Sequence, residues 1–199
     1  HQIVFLGMIL LLVLPLTNEH EKRSAGVPVP TREFEIREDR AYLGGKPIQL
    51  WGLRCGNALH SPAITERHIR NLDNMAAHGI NCLGVYIQGS NGGWPDANAA
   101  LNGFTRDGKL SLLLRNGQEF YDDASIRRAV EEAARFLEER RLRNVFVDII
   151  HEFSHPERMD KEIFREPEGA AKKAKLTGWF KAIAPAIEVG VCPDADSET

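Results

Sequence analysis

Between Val145 and His155 the chain reads Val-Phe-Val-Asp-Ile-Ile-His-Glu-Phe-Ser-His, a run in which acids and imidazoles follow directly on an apolar stretch. Two chemistries use such residues. His151-Glu152-Phe153-Ser154-His155 matches the H-E-x-x-H pattern, in which two histidines one helical turn apart hold zinc and the glutamate serves as general base. That pattern works only inside a helix. Here β-branched and aromatic residues precede it and Pro156 follows it, and a proline there has no N–H to bond back to Glu152 and clashes with the preceding turn. A third ligand among Glu162, Glu166 and Glu168 is not singled out by its spacing. In the other reading Val145 to Ile150 is a strand. Alternation then sets Phe146, Asp148, Ile150 and Glu152 on one side, with Glu152 at the C-terminal end, where a carboxyl group can take or give a proton.

Several elements must position this acid. Phe34 to Leu43 reads as two short extended segments about a turn at Arg37 to Arg40, and Gly44-Gly45 turns the chain into an apolar strand from Pro47 to Leu53. Thr65 is a suitable N-cap, Ile69, Leu72, Met75 and Ala76 recur at helical spacing, and Gly79 supplies the stop. Ile80 to Gln88 follows as a strand. Ser125 to Leu142 carries Ile126, Ala129, Val130, Ala133 and Leu137 on one helical face and leads into the Val145 strand. A further helix, Gly169 to Ala184, presents Leu176, Trp179, Phe180 and Ile183 before a last strand from Ile187 to Val191. Strand and helix alternating in this way predict an α/β fold on a parallel sheet with right-handed crossovers.

One stretch departs from the alternation. Residues 91 to 111 are rich in Gly, Asn, Asp and Pro, and no amphipathic helix separates them from Leu112 to Leu114. If those leucines form the third strand, its crossover helix is missing, although a parallel pair needs a connection of a dozen or more residues.

With 199 residues, 43% hydrophobic and 27% charged, the chain is long enough for one domain with a sizeable core. A net charge of -3, with basic and acidic residues interspersed, argues against a nucleic-acid partner. Ile3 to Leu16 is almost continuously apolar and is followed by the polar run Thr17 to Ser24, then Ala25 and Gly26. This reads as a signal peptide over residues 1 to 26, too short an apolar run for the ~20 residues of a membrane span. The alternative is a buried core helix. The expectation is a secreted or periplasmic protein with no membrane association once the leader is gone. Cys55, Cys82 and Cys192 are too few and too scattered for a disulfide framework or a metal site, and the sequence calls for no cofactor. Buried free thiols are expected, with a Cys55–Cys82 bridge as the other arrangement.

The stretch Val145 to Glu152 resembles the fourth-strand signature of clan A glycoside hydrolases, especially the cellulase-like family 5, in which an apolar strand runs into Asn-Glu-Pro. Tyr42-Leu-Gly-Gly-Lys-Pro-Ile-Gln-Leu-Trp-Gly-Leu53 is similar to the hairpin and first strand of that group, and Thr65 to Gln88, with its Gly79-Ile80-Asn81 junction, fits the second unit. The resemblance implies a partial (β/α)8 TIM barrel, about the first five strands, preceded by an N-terminal β-hairpin. It implies a carbohydrate substrate and Glu152 as general acid/base. His151 stands where the family has Asn, and an imidazole can still hydrogen-bond a sugar hydroxyl. Other strand ends would contribute substrate contacts: Arg54 and Asn57 after the first, Trp94 after the second, and Asp194 after the fifth. Trp94 can stack on a sugar ring or anchor its loop, and Arg54 can hold substrate or an ion pair in the barrel mouth. The family's nucleophile is a glutamate ending the seventh strand, so the expectation is a barrel continued beyond Thr199. A non-catalytic carbohydrate-binding barrel is the competing expectation.

Overall fold

A computed structural model of the chain describes residues 9–13, 32–56, 58–87, 102–115, 122–151 and 168–192. Over the described residues the chain is a mixed α/β protein with a five-stranded sheet, a three-stranded and a two-stranded sheet, and helices packed against the largest. Along the sequence its elements are β1 (Ile9–Val13), β2 (Phe34–Arg37), β3 (Arg40–Leu43), β4 (Lys46–Pro47), β5 (Gly52–Cys55), α1 (Pro62–Arg70), α2 (Leu72–Ala77) and β6 (Cys82–Tyr86). They continue with β7 (Asn102–Phe104), β8 (Leu110–Arg115), α3 (Asp123–Glu139), β9 (Val145–His151), α4 (Glu168–Lys181) and β10 (Glu188–Cys192).

The large sheet has the order β10-β9-β1-β6-β5. β5 pairs parallel with β6, and β10 parallel with β9. β1 lies antiparallel to both of its neighbours, so β6 and β9 run in the same direction with β1 wedged between them. Ile9–Val13, read from the sequence as part of a leader, is here an extended segment that joins the two parallel pairs. Leu112 to Leu114, expected as the third strand of the main sheet, instead lie within β8, which pairs antiparallel with β7. An antiparallel hairpin needs only a tight turn, and the turn residues of the irregular stretch supply one. Gly108 (φ +87) donates its N–H to Thr105 O at 2.8 Å, and the Thr105 hydroxyl donates to Asp107 Oδ1 at 2.6 Å.

The principal core lies between the sheet and α3 and α4. Val145, Val147 and Ile149 of β9 pack with Ala129, Val130, Ala133 and Leu137 of α3 and with Leu176 and Phe180 of α4. These helical positions are the ones the periodicity marks. Asp122 rather than a residue of the apolar stretch starts α3: its carboxylate accepts from Ser125 N and from the Ser125 hydroxyl, both at 2.8 Å. The helix ends in a Schellman arrangement, with Leu142 N–H bonded to Leu137 O, Arg141 N–H bonded to Glu138 O, and Arg141 at φ +51.

The β2–β3 hairpin forms where the sequence predicts it, about a turn at Glu38 and Asp39. Phe34 is fully buried, stacks on Phe146 with ring centroids 5.1 Å apart, and donates its N–H to Arg143 O at 2.7 Å. The hairpin is therefore fastened at the N-terminal end of β9. The strand expected over Pro47 to Leu53 divides into β4, which extends the hairpin sheet, and β5, which enters the main sheet.

The helix expected from Thr65 starts earlier. Ser61 is its N-cap and Pro62 occupies the first turn, where a missing N–H is harmless. Thr65 instead sits inside α1 and turns its hydroxyl to Ala58 O at 2.6 Å. α1 gives way to α2 at Asn71, and Gly79 (φ +84) ends α2 as the sequence requires: Gly79 N–H bonds to Ala76 O and Ile80 N–H to Met75 O. Leu72 and Met75 pack on the cluster of Cys55, Ala58 and Leu83, but Ile69 is 60% exposed.

Candidate functional site

Because β6 and β9 share a direction, the four strands β5, β6, β9 and β10 all end on one edge of the sheet, at Cys55, Tyr86, His151 and Cys192. In parallel α/β sheets that edge is where ligands bind and where strand-borne catalytic groups sit. Arg54, on β5, reaches it. Its guanidinium lies over the ring of the buried Tyr86, 5.1 Å from the centroid, which orders a cation on a side chain that is otherwise exposed. Sequence reasoning chose Arg54 and passed over Tyr86, which only the β5–β6 register brings beside it.

His151 is the last residue of β9 and lies opposite Cys192 of β10. The first histidine of the H-E-x-x-H match is thus in extended backbone, contrary to the helical placement that zinc ligation by that motif requires. Glu152, Asn57, Trp94 and Asp194 lie outside the described residues. Their positions in the sequence set Glu152 directly after β9, Asn57 just after β5, Trp94 in the connection after β6 and Asp194 just after β10.

One acid, in the middle of β9, bonds to the end of β10 at this edge. Asp148 on β9 is buried, and its Oδ1 accepts the backbone N–H of Cys192 at 3.1 Å. The bond falls where the β9–β10 register shifts between Gly190 and Cys192, so the carboxylate takes up an amide that the irregular ladder leaves to a side chain. Asp148 was visible in the sequence as an acid embedded in an apolar strand. Its bond to a β10 amide was not, since it depends on the partner strand.

The cysteines do not bridge in the fold. Gly52 is opposite Cys82 and Cys55 opposite Val85, a separation of three residues along paired strands and about 10 Å at the strand rise. All of them are free thiols; burial raises the pKa of Cys55, and that of Cys82 to about 11. Cys82 begins β6, at the edge of the sheet opposite the candidate site.

An apolar cavity of about 320 Å³ opens elsewhere, on the helix-covered side of β6, between α1 and α3. Leu83 and Val85 of β6, Ile69 of α1 and Phe136 of α3 line it, with Thr65 and His68 as its polar neighbours. The Thr65 hydroxyl donates to Ala58 O, and His68 Nδ1 lies 3.0 Å from Ile64 O. A glycan placed there would leave its hydroxyl groups unpaired, so this cavity is not the counterpart of the strand-end site.

Among the described residues no group of His, Cys, Asp and Glu side chains is arranged to hold a metal ion, and no helix is long and apolar enough to cross a membrane. Comparisons with protein-family models, with curated proteins and with solved structures find no match to this chain.

Proposed function

We propose that the chain is a secreted glycoside hydrolase-like protein, part of a (β/α)8 barrel, that cleaves O-glycosidic bonds in a polysaccharide or oligosaccharide with Glu152 as general acid/base. The observation that carries the reading is the common edge: four strands of like direction end together, with Arg54 set on Tyr86 at one and the sequence continuing from His151 to Glu152 at another. In this scheme Glu152 protonates the glycosidic oxygen as the bond breaks and a second carboxylate, not assigned to a residue of this chain, takes the anomeric carbon as an ester; Glu152 then takes a proton from the water that displaces that ester. The first step needs the carboxyl group protonated, hence a pKa well above that of a free glutamate, and the second needs the same group ionised. Arg54, Asn57, Trp94, His151 and Asp194 contribute contacts to sugar hydroxyls and ring faces. No cofactor takes part.

The test is release of reducing ends from β-glucans and mannans by the wild-type protein and by Glu152→Gln, with binding of the same glycans followed by tryptophan fluorescence. The reading expects turnover that falls about 10²- to 10⁴-fold in the variant while binding persists. Binding without turnover, unchanged by Glu152→Gln, assigns the protein to carbohydrate recognition instead. Neither binding nor turnover on any glycan overturns the proposal.

A further inference from the structure

The position of β1 carries an inference about which segments can share one place in the sheet. β6 and β9 run parallel, and each offers one edge to the space between them. In the described structure Ile9–Val13 fills that space, antiparallel to both neighbours in a sheet whose other pairs, β5–β6 and β9–β10, are parallel. A second segment is suited to the same place. β8, Leu110–Arg115, reads Leu-Ser-Leu-Leu-Leu-Arg, long enough to span the register that β1 covers, and among the described residues it pairs on one side, with the three-residue β7. It is joined to β9 through α3, which packs with β9 in the principal core, so β8 set parallel beside β9 would make β8-α3-β9 a crossover unit, for which the right-handed form is the rule. Leu110, at the start of β8, is packed against that same core.

We infer that the space between β6 and β9 is a strand-binding slot whose second occupant is Leu110–Arg115, entering parallel to both neighbours when Ile9–Val13 leaves. Exchange replaces an antiparallel strand by a parallel one. β8 gives up its short ladder with β7 for pairing along both edges, and the amides and carbonyls of β6 and β9 stay bonded. An empty slot would leave two rows of backbone groups unpaired beside buried residues such as Leu83 and Val147, so departure of β1 without a replacement is not a stable outcome. Removal of residues 1 to 26 as a leader would make the exchange a step in maturation. That timing rests on the secreted reading, whereas the exchange itself does not depend on Glu152 or on glycan cleavage.

Hydrogen exchange followed by mass spectrometry tests it on two proteins that vacate the slot in different ways: the chain lacking residues 1 to 26, and the full chain carrying Leu11→Pro, which cannot donate to either neighbour from that position. The expected result in both is a monomer in which the amides of residues 110–115 exchange at least 100-fold more slowly than in the unaltered full chain, while those of 82–86 and 145–151 keep their protection. Three results overturn the inference. The first is loss of protection in 82–86 and 145–151 with 110–115 unchanged. The second is a dimer in which a second copy supplies the strand. The third is failure of both proteins to fold, because the inference provides the strand that completes their sheet.

Discussion

At the scale of single residues, the chemistry-bearing side chains divide into those that a sequence can rank and those that need a neighbour. Arg54 is legible as a cation at the end of an apolar strand, but its seat on Tyr86 exists only through the β5–β6 register. Gly108 is similar: the sequence shows a turn residue, while the fold shows that a Cβ there would meet Ser125 O at 2.1 Å and Ala129 N at 3.0 Å. Gly108→Ala therefore has to overcome both a positive φ and contact with the α3 backbone, and is expected to cost about 3 kcal/mol in urea unfolding. Stability within error of wild type would show that the β7–β8 turn does not press on α3. The thiols give a second check. With the pKa of Cys82 raised to about 11 by burial, only on the order of one molecule in a thousand carries its thiolate at pH 8. In the folded protein the half-buried Cys192 should react first with a disulfide reagent, and Cys55 and Cys82 only at the rate of unfolding. Rapid labelling of all of them would contradict the described burial.

At the scale of elements, the clearest signals came from periodicity and caps. The faces of α3 and α4 pack as their spacing requires, because both helices meet a sheet that rewards an apolar stripe. The start of α1 was misplaced because Thr65 and Ser61 are both good caps, and only Pro62 at the first turn decides between them. The hairpin was legible, but its anchoring on β9 through Phe34 and Phe146 was not, since that contact spans most of the chain. Phe34→Ala removes a fully buried ring from this joint and should destabilise the protein by about 3–5 kcal/mol in denaturant unfolding. A change below about 1 kcal/mol would mean that the hairpin folds apart from the sheet. The α3 cap predicts an acid dependence. Hydrogen bonds from Ser125, chiefly its backbone N–H, hold the Asp122 carboxyl below its ordinary value of 3.8. A carboxyl lowered in the folded state stabilises above its unfolded pKa, and the contribution is lost as pH falls from about 3.8 through the lower folded value. Asp122→Asn keeps a capping oxygen without the charge. Its melting temperature should lie below that of wild type at neutral pH and converge with it near pH 2. A constant gap across that range would refute the ionised cap.

At the scale of the whole molecule, the alternation of strands and helices was sufficient to read a mixed α/β protein, and it located β6, β9 and β10 closely. Strand order was not legible. A strand's neighbours are set by registers that lie in other parts of the chain, and a short apolar run such as Ile3 to Leu16 fits a leader, a buried helix or a strand equally well by composition. The fold uses Ile9–Val13 of that run between β6 and β9, where the sequence reading had set Leu112 to Leu114. That substitution leaves four like-directed strand ends on one edge, the arrangement on which the hydrolytic proposal depends. The proposal centres on one proton delivered by Glu152 to a departing glycosidic oxygen. The most direct measurement compares Glu152→Gln with wild type on two substrates of the same sugar, an unactivated glucan or mannan and an aryl glycoside whose phenolate leaves without help. A general acid predicts a loss of about 10²- to 10⁴-fold on the polysaccharide and a much smaller loss in bond cleavage on the aryl glycoside. Equal losses on both, or no loss on either, would contradict the role given to Glu152.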